Sequence, residues 1–128
     1  MKKYICVILI ISVIGLAFIL LGNRASQDTV LAKEITSLLE IGEIQIDLAE
    51  LTDFNWTKVD VFGPYTSNED MEDSMGIIFK GDNGGIDILD DRFLLVFVND
   101  KYAVKTVVLS RKYGNYSIED NEYLNVKQ

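Results

Sequence analysis

The chain has 128 residues, enough for one domain, with 12 Lys and Arg against 20 Asp and Glu. The net charge of −8 disfavours nucleic acid and anionic lipid headgroups as partners. There is no histidine, which excludes Ser-His-Asp, Cys-His and histidine-zinc chemistry, and there is no Gly-x-x-x-x-Gly-Lys loop or dinucleotide fingerprint.

The chain opens on Met1-Lys2-Lys3, and residues 4–21 are 18 positions without a charge. As a helix that run would span roughly 27 Å, close to the hydrocarbon core of a bilayer. A cleaved signal has an apolar region of roughly 7–15 residues followed by a small-x-small site. Here the run is longer, and cutting after Ala25 or Gly22 would put Asn23 or Leu20 three residues before the cut. The expectation is a signal anchor in the cell membrane over residues 1–25, single-pass, with Lys2 and Lys3 holding the N-terminus inside. Secretion after cleavage is the alternative. Cys6, the one cysteine, lies within the apolar run rather than after it, so it reads as a buried thiol and not a lipid attachment. Residues 26–128 hold all 20 acids against nine Lys and Arg, a net −11, and no disulfide.

Residues 26–42 read as a helix. Asp28 suits the N-cap, Leu31, Ile35 and Leu38 recur at helical spacing, and Gly42 suits the position past the end. Over 43–53, Ile44, Ile46 and Leu48 alternate, which suggests a short strand and a turn. Residues 54–62 are rich in strand formers, but Phe54 and Trp56 share one face while Val59 and Val61 share the other. That predicts either two covered faces or a bulge. Gly63-Pro64 stops the strand. Thr66 and Glu69 have capping-box spacing ahead of a helix carrying Met71 and Met75 and ended by Gly76.

The remainder reads as β. Residues 77–80 and 86–89 flank Gly81-Asp82-Asn83-Gly84-Gly85, where Asn-Gly signals a hairpin. Residues 93–98 are apolar throughout, as a central strand should be, and Asn99-Asp100 turns the chain into a returning strand over 102–109. On that strand Val104, Thr106 and Val108 are expected on one face, with Ala103, Lys105, Val107 and Leu109 on the other. Tyr113 to Tyr116 make a bend, Ser117-Ile118 a short final piece, and 119–128 a loose polar tail. The fold class is α+β: two helices packed on one face of a four- or five-stranded antiparallel sheet over residues 26–118.

Several groups carry possible chemistry. Acids are plentiful enough for a two-carboxylate glycosidase, but nothing marks one pair, so the domain reads as non-enzymatic and without a cofactor. Asp82, Asp87, Asp90 and Asp91, with Asn83, are weak calcium candidates: the residue types fit, the EF-hand spacing does not. As turns they need no ion. Arg111, Lys112, Tyr113 and Tyr116 form the one basic-aromatic cluster, suited to an anionic envelope polymer or an acidic protein patch. The plainer reading is that they balance neighbouring acids at a sheet edge. Trp56 and Tyr65, with Phe62, are either an exposed aromatic face or core.

Trp56-Thr57-Lys58-Val59 followed by Phe62-Gly63-Pro64-Tyr65-Thr66, with Arg111-Lys112-Tyr113-Gly114 later, resembles a motif of uncharacterised small membrane-anchored or exported proteins of low-GC Gram-positive bacteria. That resemblance spans residues 44–118 and brings no activity with it. At the level of fold, Thr66, Glu69, Met71, Met75 and Gly76 followed by antiparallel strands are similar to the repeat unit of beta-lactamase inhibitor proteins and small envelope-assembly lipoproteins. This chain lacks their cysteines, their lipid anchor and a second copy. The resemblance implies a protein-interaction module of the cell envelope. A domain binding a small ligand, calcium or a wall polymer is the alternative.

Overall fold

The computed structural model describes residues 24–128; the basic head, Cys6 and the expected anchor lie outside them. Among the described residues no helix is long and apolar enough to cross a membrane. The order is β1 (Ser26–Gln27), α1 (Thr29–Glu40), β2 (Gln45–Asp47), α2 (Leu48–Leu51), β3 (Lys58–Phe62), α3 (Asn68–Met75), β4 (Arg92–Asn99) and β5 (Tyr102–Ser110). A 3-10 turn (Arg111–Tyr113), β6 (Asn115–Glu119) and β7 (Tyr123–Lys127) complete it. The class is α+β as expected, but with three helices and two sheets. The larger sheet runs β1-β5-β4-β3 and the smaller β2-β7-β6.

The apolar run of β4 explains the layering. Phe93, Leu95 and Phe97 point into one core with Leu31, Ile35 and Leu39 of α1, and with Ile46, Tyr116 and Leu124 of the smaller sheet. Leu94, Val96 and Val98 point the other way, into a second core with Met71 of α3 and with Ile77, Phe79 and Ile86. Both faces of the larger sheet are therefore covered, where one was expected. Strand β5 switches faces partway: Ala103 joins the second core, while Val107 and Leu109 join the first. A register shift between Phe97 and Val98 makes Val104 the extra residue. A bulge thus lies in β5, β3 pairs with β4 without a break, and the strict alternation expected for β5 is corrected there.

Local capping follows the sequence closely in α1. Asp28 accepts from the N–H of Leu31 at 3.0 Å, and the Gly42 N–H returns to the Leu39 carbonyl. The start is corrected, since Ser26 and Gln27 pair in parallel with Lys105 and Thr106 as β1. In β2 the short strand holds, and Asp47 then caps α2 through the N–H groups of Ala49 and Glu50. The cap of α3 is Ser67 and not Thr66: Ser67 accepts from the Asp70 N–H, while the Thr66 hydroxyl donates to the Gly63 carbonyl. Gly76, at φ 67°, closes α3 in the left-handed conformation.

Two further expectations are corrected. Residues 77–80 and 86–89 do not pair as a hairpin. Asp82 takes the Gly84 N–H and Asn83 takes the Gly85 N–H, so side chains satisfy the donors of the turn. The chain before the turn is bridged to Tyr102 and Ala25 instead. Gly81 meets Ala25 so closely that an added Cβ would sit 2.7 Å from the Ala25 nitrogen, which leaves room for no side chain. The second correction is the tail. Residues 123–127 form β7, the middle strand of the smaller sheet, between β2 and β6. Asp120 and Asn121, both at positive φ, make the tight turn that returns it. The Asn121 side chain also donates to the Thr57 carbonyl and accepts from the Val59 N–H, joining that turn to β3.

Candidate binding surface

The register of the larger sheet divides the predicted residues between its two ends. Arg92 pairs with Ser110 at one end, and Lys58 pairs with Val98 at the other. Arg111, Lys112 and Tyr113 follow β5 at the Arg92 end, Tyr65 follows β3 at that same end, and Trp56 precedes β3 at the opposite one. The segment 84–91 links the first group. Arg92 donates to the Gly84 carbonyl, the Tyr65 N–H to the Ile86 carbonyl, and Arg111 to the Asp90 and Asp91 carbonyls.

Tyr65, Ile88 and Leu89 are the apolar part of this surface, with 64%, 72% and 37% of their areas exposed. Tyr65 sits at φ 64°, an uncommon conformation for a residue with a Cβ, and its ring is turned into solvent. Ile88 and Leu89 were expected as part of a strand; the turn at 85–88 lifts them out of the sheet. Arg111 and Lys112 are exposed at the same end of the sheet, with Arg111 bonded to Asp90 and Asp91. The Lys112 ammonium lies 4.9 Å from the centre of the Tyr113 ring, and the Tyr113 hydroxyl is 3.2 Å from Glu40. Asp87, Asp90 and Asp91 are exposed on the same segment.

Of the other two predicted residues, Trp56 is half-buried and Tyr116 buried. Trp56 lies edge-on to Phe97 at 5.4 Å, and its indole N–H donates to the Thr52 hydroxyl. It forms one wall of a cleft of about 420 Å³ shared with Asn55, Asp120 and Glu122. Tyr116 is buried, lies edge-on to Phe93 at 5.1 Å and donates to the Ser110 carbonyl at 2.6 Å. Burial, with Tyr113 nearby, pushes its phenol up to about 12. Its proton stabilises the fold below the ordinary value near 10 and that contribution is lost as pH rises through about 12. In an alkaline absorbance titration one tyrosine should ionise last and together with unfolding. Tyr116→Phe, which strands the Ser110 carbonyl, should remove that late step and cost about 1–3 kcal/mol in chemical denaturation.

The calcium candidates are not drawn together. Asp82 caps Gly84, Asp91 pairs with Arg92 at 2.7 Å, and Asp87 and Asp90 are exposed. Among the described residues no group of three acids, cysteines or histidines is placed to hold a metal ion.

An unforeseen acidic group lies where α2 meets the β6–β7 turn. Partial desolvation of Glu122, with Asp47, Glu50 and Asp120 close by, raises its carboxyl above the usual range. The folded chain therefore holds this proton more tightly than the unfolded one. Its contribution is complete below the unfolded value near ~4.3 and is lost as pH rises through the folded value. Glu122→Gln, which cannot ionise, should leave Tm unchanged near pH 4 and raise it at pH 7. A constant difference across that range would overturn this account.

No family model matches the chain, and no curated protein or solved structure is significantly similar to it.

Proposed function

We propose that the chain is a non-enzymatic, membrane-anchored module of the cell envelope whose domain lies outside the cytoplasm and binds another protein. The uncharged run over residues 4–21 behind Lys2 and Lys3 supports the anchor and the orientation. The binding role rests on one observation: Tyr65 and Ile88, two large apolar side chains, are mostly exposed at the end of the larger sheet that also carries the exposed Arg111 and Lys112. Aromatic and arginine side chains are the types that contribute most at protein interfaces. An exposed ring on a left-handed backbone adds to this, because uncommon conformations gather at functional sites.

The test is a crosslinked pull-down from intact cells with the full chain, comparing wild type with Tyr65→Ser/Ile88→Ser and Arg111→Glu/Lys112→Glu. Recovery of one protein by wild type and its loss in both variants is the expected result. Equal recovery by all three would overturn the assignment of the surface. The exposure of Arg111 and Lys112 also favours a second reading, an anionic wall polymer held by those two residues. Retention on purified wall polymer that the Arg111→Glu/Lys112→Glu pair abolishes, while Tyr65→Ser/Ile88→Ser does not, would select it.

A further inference from the structure

The net negative charge of this chain is concentrated on one layer. Residues 28–53 and 115–128, which form α1, β2, α2, β6 and β7, hold ten Asp and Glu against Lys33 and Lys127. That is a net −8 out of the −11 carried by residues 26–128. Between α1 and β2–α2 this layer has a groove of about 340 Å³. Leu38, Ile46 and Leu51 supply its apolar lining, Glu43, Asp47 and Glu50 its charge, and among the described residues no Lys or Arg lines it. At the turn out of α1, Ile41 and Ile44 are 75% and 64% exposed. They are three residues apart, and Glu43 lies between them.

We propose that this groove docks a cationic, amphipathic segment of a partner protein. It lies across the larger sheet from Ile86, whose carbonyl holds the Tyr65 N–H, so it is a second surface apart from Tyr65 and Ile88. The two halves of the groove's chemistry call for one occupant. Apolar side chains in water favour burial by a partner of the same kind, worth about 25 cal/mol per Å² removed from solvent. Three carboxylates around them, on a layer of net −8, repel an acidic or neutral-acidic segment and attract lysine and arginine. A purely polar cation would leave Ile41 and Ile44 in water, and a purely apolar segment would desolvate Glu43 and Glu50 without pairing them. A segment with an aliphatic stripe and a basic flank satisfies both.

The experiment uses the full chain in nanodiscs of zwitterionic lipid, with empty discs as blank. The probe is an 18-residue peptide of leucine and lysine at helical spacing. Binding is expected to be measurable and to weaken with added salt. Ile41→Ser/Ile44→Ser and, separately, Glu43→Lys/Glu50→Lys should each weaken it roughly tenfold. All four positions are exposed, so both variants should keep the wild-type fold, and circular dichroism at the assay temperature checks that they do. Tyr65→Ser/Ile88→Ser should leave the affinity unchanged, which separates this surface from the one proposed above. Three results would overturn the proposal: no binding beyond empty discs, equal binding by the isoleucine variant, or equal binding by a leucine-lysine peptide of scrambled order. The last two would mean charge attraction without docking.

Discussion

A chain ending at Ile118 should lose its cooperative thermal transition. The missing residues look dispensable in composition, but they carry β7, the middle strand of the smaller sheet. Without β7, β2 and β6 have no common partner. Leu124, fully buried in the first core, is removed, and such a leucine alone is worth about 2–5 kcal/mol. Backbone bonds from Leu48 to the Glu122 carbonyl and from Val126 to the Ile44 carbonyl go with it. So does Asn121, which holds β3. Set against a total stability of about 5–15 kcal/mol for an ordinary domain, these losses leave little native state. Heating the truncated chain while following circular dichroism tests this. A sharp transition within a few degrees of the full chain would mean that the first core holds without its second sheet.

Phe97→Ala should be the most damaging single core substitution. Phe97 is fully buried in the central strand, and two further rings close on it edge-on: Phe54 at 5.1 Å and Trp56 at 5.4 Å. Emptying a phenylalanine site costs about 3–5 kcal/mol, because neighbours relax only partly into the space. For a domain of this size that lowers Tm by roughly 15 °C or more. Phe97→Leu, which keeps most of the volume, should cost less. Trp56 is the sole tryptophan, so its emission reports the change directly. A red-shifted native spectrum is expected for Phe97→Ala. An unchanged spectrum and a Tm within about 3 °C of wild type would mean the aromatic trio is not the centre of this core.

Some elements were legible because local chemistry decided them. Asp28 and Gly42 bracket α1 closely, since a cap needs only neighbours three or four residues away. Strand β4 declared itself by an unbroken apolar run, and its covering on both sides is what that run requires. Asn99-Asp100 made its turn. The failures share a cause. Asn83-Gly84 signals a hairpin, but Asp82 and Asn83 bind the turn's own N–H groups, and Ile86 drops into the second core. Leu124 and Val126 alternate as a strand would, yet Asp120, Asn121 and Glu122 ahead of them read as tail. The partner of β7 on one side is β2, some 80 positions earlier, and no local pattern announces that pairing.

The site was readable to a lesser degree. Arg111, Lys112, Tyr113 and Tyr65 do come to one end of the sheet. Tyr116 and Trp56, chosen on residue type, were drawn into the first core's surroundings by partners that type does not reveal: the Ser110 carbonyl and the Phe97 ring. Ile88 and Leu89 were missed because an apolar pair after a glycine-rich turn reads as strand. Only the turn geometry turns them outward. The groove beside Ile41 and Ile44 joins segments whose acids were visible but whose meeting was not.

The Asn121 amide has a wider consequence. Strand β3 ends the larger sheet, so its outward backbone groups would otherwise be a template on which another chain could add a strand. Asn121 occupies the Thr57 carbonyl and the Val59 N–H, and the Asp60 carboxylate takes the Val61 N–H. An intruding strand would have to displace an amide that already imitates one. The domain therefore carries its own stopper against edge-to-edge polymerisation, supplied by a turn residue more than 60 positions further along the chain.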